Sequence, residues 1–221
     1  MPMRAGKRKH DGLFITFEGP EGSGKTTQIR RLRQVLIRAG YSVLHTREPG
    51  GTKVAEAIRG VLLSPLTEPM TAEAEALLIL AARCQHVRHV IRPALGRGEI
   101  VLCDRFSDST FAYQGFGRGL NMTWLETANR VATADLSPDL TLLFDLPASA
   151  GLARRRSDRG EQNRLDRESV RFHDAVRRGF LSLAKRAPRR IRVIDASRSV
   201  QEVAAEVEAI VLRFASRCRR T

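Results

Sequence analysis

Residues Phe14–Gln28 read FITFEGPEGSGKTTQ. An apolar run, Leu13 to Gly19, stops at a glycine-rich turn, and a helical pattern starts where that turn ends. Gly19-Pro20-Glu21-Gly22-Ser23-Gly24-Lys25-Thr26 matches G-x-x-x-x-G-K-[ST] in the strand–loop–helix setting that this phosphate-binding motif requires. The glycines let consecutive backbone N–H groups turn toward an anion, and the following helix adds the positive end of its dipole. Lys25 can reach the β/γ bridge of a nucleoside triphosphate, and the Thr26 hydroxyl can ligate Mg²⁺. One residue runs against this logic: Glu21 places a carboxylate inside a loop built for phosphates.

Outward from the loop, apolar β-rich runs alternate with helical patterns. Strands are expected at 13–19, 41–51, 99–106, 139–146 and 191–197, with helices over 26–40, 52–64, 71–98, about 123–134 and 199–218, and an arginine-rich helical stretch between the fourth and fifth strands. Pro93 predicts a kink or break in the third of these helices. Alternation of this kind predicts a five-stranded parallel sheet with helices on both faces, and ligands beyond the carboxyl ends of its strands. Glu18–Gly19, Arg47–Glu48, Asp104–Arg105 and Asp145 all fall at such strand ends.

The 221 residues suit one domain over 13–215, with a mobile arginine-rich lid over about 153–166. Residues 1–12 read as a disordered basic leader and 216–221 as a basic tail. The formal charge is +14, and Arg154 to Arg192 alone holds 14 Lys/Arg against 5 Asp/Glu. That excess fits a highly anionic ligand, a nucleic-acid surface or simply solvated helix faces. Cys84, Cys103 and Cys218 have neither metal nor disulfide spacing, and no apolar run approaches a membrane span, so a cytoplasmic protein is expected.

Four further blocks, TREPGGT (46–52), AARCQH (81–86), DRFSDSTFAYQG (104–115) and IDAS (194–197), give the chain its particular character. With the loop, their order and spacing resemble thymidylate kinases from about Leu13 to Leu212. The resemblance implies transfer of the ATP γ-phosphoryl group to dTMP, with Mg²⁺, and a homodimer formed by middle-region helices. The implied ATP contacts are Gly19, Pro20, Glu21, Gly22, Ser23, Gly24, Lys25, Thr26 and Thr27, with Ala196 and Ser197 beside the adenine. It also implies that Glu21 turns to the acceptor's 3′-hydroxyl, which would explain the carboxylate; a solvent-facing loop Glu is the plain alternative.

On the acceptor side, Arg105 matches the family's phosphate-gripping arginine, and a guanidinium fork suits that task. Arg47 is a second phosphate candidate. Arg83 matches the base-edge arginine, and Thr110, Tyr113 and Gln114 the segment that closes on base and sugar. Tyr113 excludes a 2′-hydroxyl or is a core aromatic. Asp104 serves the metal or orients Arg105. Ile79 stands where many relatives place an aromatic on the thymine ring, and it offers no stacking face. None of the loop's variable positions, Pro20, Glu21, Gly22 and Ser23, is basic; the resemblance then implies that a lid arginine meets the transition-state charge, Arg159 first, with Arg155 and Arg164 as rivals. Two rival readings are a kinase for another monophosphate or a nucleoside, motivated by Ile79, and an ATP-switched nucleic-acid-binding protein. The second leaves the 104–115 block without a purpose.

Overall fold

The computed structural model describes residues 11–64, 68–157 and 164–218. Five parallel strands, β1 (Leu13–Glu18), β2 (Val43–Arg47), β3 (Ile100–Asp104), β4 (Leu140–Asp145) and β5 (Ile191–Asp195), lie in the order β2-β3-β1-β4-β5. The expected sheet is therefore present, each strand a little shorter than its apolar run. The most fully buried strand, β1, sits at the centre with all six residues buried.

Side-chain alternation along β1 feeds two cores. Leu13, Ile15 and Phe17 join Ile29, Leu32 and Leu36 of α1 (Lys25–Arg38) and Val203, Val207 and Val211 of α9 (Val200–Cys218) on one face. Phe14 points the other way, to Val101, Phe106, Ile91 and Leu95. Thr16 shares that second face, and its hydroxyl is hydrogen-bonded to Thr141 Oγ1 at 2.8 Å, so a buried polar pair costs little. The same face is covered by α8 (Val170–Arg186), whose Phe172, Val176 and Phe180 pack on Tyr113 and Leu143.

On the β2 side lie α2 (Lys53–Leu63) and α3 (Ala72–His86), capped by the Thr52 and Thr71 hydroxyls at the backbone N–H groups of Ala55 and Ala74. The expected break near Pro93 takes a particular form. α3 passes into a π-helical segment, Val87–Ile91, then into α4 (Arg92–Gly96), which carries Pro93 in its first turn where a missing N–H is tolerated. The sequence reading left out one helix entirely. α5 (Ser107–Thr110) continues as a π-helical stretch, Phe111–Gly117, and then α6 (Met122–Thr133) follows. The arginine-rich stretch, expected to be helical, holds α7 (Ala148–Ser157) as well as α8.

Gly22 decides how the phosphate loop meets α7. Its φ is +67°, and a Cβ there would lie 2.1 Å from Gly151 O, while one on Gly151 would lie 2.3 Å from Glu21 O. The two glycines let loop and helix touch backbone to backbone. That contact carries α7, with Arg154 and Arg155, to the loop's edge.

Candidate active site

The carboxyl ends of β1, β2 and β3 open into a cleft of about 580 Å³ lined by Glu21–Thr27, Arg47, Arg59, Asp104, Arg105, Arg154 and Arg155. A smaller cavity of about 60 Å³ adjoins it, lined by Ile79, Arg83, Phe106, Thr110, Tyr113 and Gln114 among others, and shares Glu21, Glu48 and Arg105 with the cleft.

Lys25 lies folded back on its own loop. Its Nζ donates to Gly19 O at 3.1 Å, Pro20 O at 2.8 Å and Ser23 Oγ at 3.2 Å, so all three protons are placed. Burial and the neighbouring Arg105 cation depress its pKa to about 8, against the pull of Glu21, Asp104 and Glu18. Thr26 donates to Asp104 Oδ2 at 2.8 Å. This joins the loop hydroxyl to the acid at the end of β3, two hard oxygens of the kind Mg²⁺ takes alongside phosphate and water.

Glu21 answers the puzzle of the loop by where it faces. Its Oε1 lies 2.9 Å from Arg105 Nη2 and accepts from the Tyr113 hydroxyl at 3.0 Å, away from the loop's interior. Burial acts to raise its pKa, but Arg105 and Lys25 outweigh that and hold it at about 2, so it is ionised throughout the working range. The Arg105–Glu21 contact is an ion pair without hydrogen-bond alignment, because Arg105 Nη2 remains a buried donor with no hydrogen-bond partner among the described residues. Such a donor at a cleft wall is suited to an anionic ligand.

The rest of Arg105 is tightly held. Nη1 donates to Gly19 O at 3.0 Å and Ser109 Oγ at 3.1 Å, and the guanidinium lies 5.1 Å from the Tyr113 ring centroid. Its backbone has φ +69°, a left-handed conformation that costs a non-glycine residue roughly 1–3 kcal/mol. Three bonds impose it: Arg105 N–H to Phe17 O, Phe106 N–H to Glu18 Oε1, and Glu48 N–H to Asp104 O. Glu18 also accepts from Ser109 Oγ. Burial, and then repulsion from Asp108, push the Glu18 pKa up to about 8.

In the smaller cavity Arg83 is 1% exposed. Its Nε donates to Glu48 Oε2 at 2.7 Å, and its Nη1 donates to Thr110 Oγ1 at 2.9 Å and Asn129 Oδ1 at 2.8 Å. Phe106 lies under the guanidinium at 5.0 Å. Nη2 has no hydrogen bond among the described residues. The other oxygen of Glu48 contacts His86 Nδ1 at 3.0 Å.

The fold thus gathers the loop, Arg47, Asp104 and Arg105 around the larger cleft, and Ile79, Arg83, Thr110, Tyr113 and Gln114 around the smaller. Arg155 lines the larger cleft and donates to Asp166 at 3.1 Å. Arg164 is elsewhere: it bonds Leu62 O and Glu75 and lines neither cavity. Arg159 lies outside the described residues. Ala196 and Ser197 do not line either cavity; Ala196 O accepts from Arg154, which ties β5's end to α7.

Two cleft residues, Arg59 and Arg154, were not singled out by the sequence reading, and Glu48 was placed only at a strand end, with no role. Arg59 and Arg154 line the larger cleft, and Glu48 anchors Arg83. Glu56 and Arg59, three apart on α2, share a face, and Glu56 also holds Arg47 at 2.8 Å; that spacing was the available signal.

Comparison with known proteins agrees with this geometry. Residues 17–207 match the family model for thymidylate kinase. A thymidylate kinase of Pseudomonas putida (strain GB-1) is 49% identical over 208 residues, covering 94% of this chain and 99% of the relative. One from Thermomicrobium roseum is 54% identical over 208 residues, 94% of this chain and 98% of its own length. One from Pseudomonas syringae pv. tomato is 51% identical over 200 residues, 90% and 95% respectively. With a family model spanning most of its length and relatives at about half identity end to end, this chain belongs to the thymidylate kinase family.

Proposed function

We propose that this thymidylate kinase family member transfers the γ-phosphoryl group of ATP to dTMP, giving dTDP, with the work divided as follows. ATP phosphates sit on Gly19–Thr27, with the adenine toward Ala196 and Ser197. Thr26 and Asp104 would hold Mg²⁺, whose charge would offset that of the ATP phosphates. Arg105 grips the acceptor phosphate through the donor left over at Nη2, assisted by Arg47 and Arg59. Glu21 takes the 3′-hydroxyl, Tyr113 crowds the 2′ position, and Arg83 reads the base edge beside Ile79, Thr110 and Gln114.

An oxygen of the acceptor phosphate then attacks the γ-phosphorus in line, and the bond to the β-bridging oxygen breaks. Lys25 and a lid arginine, Arg159 or Arg155, meet the charge on the equatorial oxygens. No general base is required, since the attacking phosphate is already ionised near neutral pH. The observation that carries this reading is the pairing of one ionised carboxylate, Glu21, with the buried spare donor of Arg105 at the junction of the two cavities.

ADP release measured with dTMP, dUMP, UMP, dCMP, dGMP and no acceptor tests it. Preference for dTMP is expected; a higher kcat/KM for another monophosphate overturns the assignment of the base pocket. A second outcome concerns protons. ATP phosphates favour the ammonium form of Lys25, whose pKa is about 8 in the free protein. At about pH 8.5, ATP binding is therefore expected to take up protons, and affinity to fall as pH rises past the Lys25 value. Calorimetry in two buffers of different ionisation enthalpy reads the uptake, and Lys25→Arg reduces it.

The same reading includes a homodimer in the cytoplasm. It is supported by exposed apolar side chains on adjoining helices: Val54 and Val61 of α2, Leu77 of α3, and Trp124 and Val131 of α6. No helix among the described residues is long and apolar enough to cross a membrane.

A further inference from the structure

Gln114 lines the smaller cavity, and its terminal amide could present either an oxygen or an NH₂ group there. What decides between them lies behind it. Glu75 of α3 is 1% exposed and lines neither cavity. Its Oε1 accepts from Gln114 Nε2 at 2.7 Å and Arg118 Nε at 3.2 Å. Its Oε2 accepts from Arg118 Nη2 at 3.1 Å and Arg164 Nη2 at 2.5 Å. Burial acts to raise its pKa, but the hydrogen bonds from Arg118, Gln114 and Arg164 outweigh it and keep the group ionised.

An ionised carboxylate only accepts. Turning the Gln114 amide over would put its carbonyl oxygen where Nε2 now lies, 2.7 Å from Glu75 Oε1, with no proton between two acceptors. The NH₂ group is thereby held inward. Gln114 Oε1, which has no hydrogen bond among the described residues, is left as the group's acceptor for a ligand. Arg83 Nη2 supplies an unengaged donor on the wall of the same cavity. A donor and an acceptor together complement a pyrimidine edge that offers a 4-oxo oxygen and a ring N–H. A 4-amino pyrimidine offers the reverse, an amine donor beside a ring-nitrogen acceptor.

We propose that Glu75 is a specificity-determining positioning residue: by fixing the Gln114 amide with its oxygen toward the base, it makes the enzyme select 4-oxo over 4-amino pyrimidine nucleotides. The inference rests on reading the smaller cavity as the base pocket. Glu75 does not touch the substrate; its effect passes through Gln114. In Glu75→Gln the new amide can donate or accept, so the Gln114 amide is free to present either face.

The test compares kcat/KM for dTMP and dCMP in the full-length wild type, Glu75→Gln and Gln114→Leu. The dTMP-over-dCMP ratio is expected to fall by about tenfold in Glu75→Gln, the equivalent of one hydrogen bond, with part of the change coming from a gain on dCMP. Gln114→Leu, which leaves the Glu75 contacts to Arg118 and Arg164 in place, is expected to lose the same preference. If Glu75→Gln does not fold, Glu75→Asp, which keeps the charge but draws the carboxylate back from Gln114 Nε2, takes its place, with the same fall in the ratio expected and an unchanged ratio overturning the proposal. Proportional losses on both acceptors, with the ratio unchanged, would mean that Glu75 only supports the fold, and would overturn the proposal. A wild-type enzyme that favours another acceptor over dTMP would instead overturn the base-pocket reading beneath it.

Discussion

Replacing Arg105 by alanine is expected to lower kcat/KM for dTMP by about 10²–10³-fold, the range seen when a single preorganised donor is removed from a water-poor site. Three consequences combine. The acceptor phosphate loses the donor that Nη2 holds in reserve. Among the described residues Glu21 keeps the Tyr113 hydroxyl as its hydrogen-bond partner, so an ionised carboxylate stands beside an incoming dianion. Gly19 O and Ser109 Oγ also lose the bonds that lock the loop to the β3 end. Arg105→Lys is expected to recover only part of the loss, because an ammonium cannot replace a fork that bonds two groups and still offers a third. Steady-state kinetics checks this alongside ATP binding by calorimetry, where affinity is expected to change by only a few-fold. An Arg105→Ala enzyme that kept wild-type kcat/KM would remove Arg105 from the mechanism.

Arg83→Met is expected to be costly in a different way, chiefly in stability. Arg83 and Glu48 form an ion pair at 2.7 Å with side-chain exposures of 1% and 3%. Removing one member of so deeply buried a pair leaves Glu48 with His86 as its remaining side-chain partner among the described residues and costs about 3–5 kcal/mol. Thr110 and Asn129 lose their shared donor as well, leaving Ser107 bonded to Asn129 Oδ1. For a chain of this size the melting temperature should fall by roughly 10 °C. Glu48→Gln in the same background should recover part of that, since the buried carboxylate that lost its guanidinium is then gone, and a double-mutant cycle by thermal denaturation measures the coupling. An Arg83→Met protein as stable as wild type would show that the pair contributes nothing net.

How much of this was legible in the sequence alone depends on whether the signal was local. The loop could be read because G-x-x-x-x-G-K-T carries its own physics: glycine freedom, a helix start and a lysine within about ten residues of chain. The five strands were equally plain, since β1, β3 and β4 are continuous apolar runs and both faces of the sheet are covered. α5 and its π-helical continuation were missed for the converse reason. Ser107–Gly117 has no clean 3.6-residue stripe: Asp108 faces Arg190 while Phe111 and Tyr113 face the α8 core, so burial divides by partner rather than by period.

The partnerships themselves could only come from the tertiary fold. The sequence holds a carboxylate at 21 and an arginine at 105, but the 2.9 Å contact between them exists because β1 and β3 are neighbours in the sheet. Glu48 with Arg83, Glu75 with Gln114, and Gly22 with Gly151 are likewise distant in the chain and joined by packing. Residue types and short spacings therefore determined the chemistry this chain can attempt, because phosphate binding and strand formation are local properties. Which charge faces which, and so which donors remain for a substrate, was decided by the crossover order of the sheet, since ion pairing and desolvation depend on distance in space.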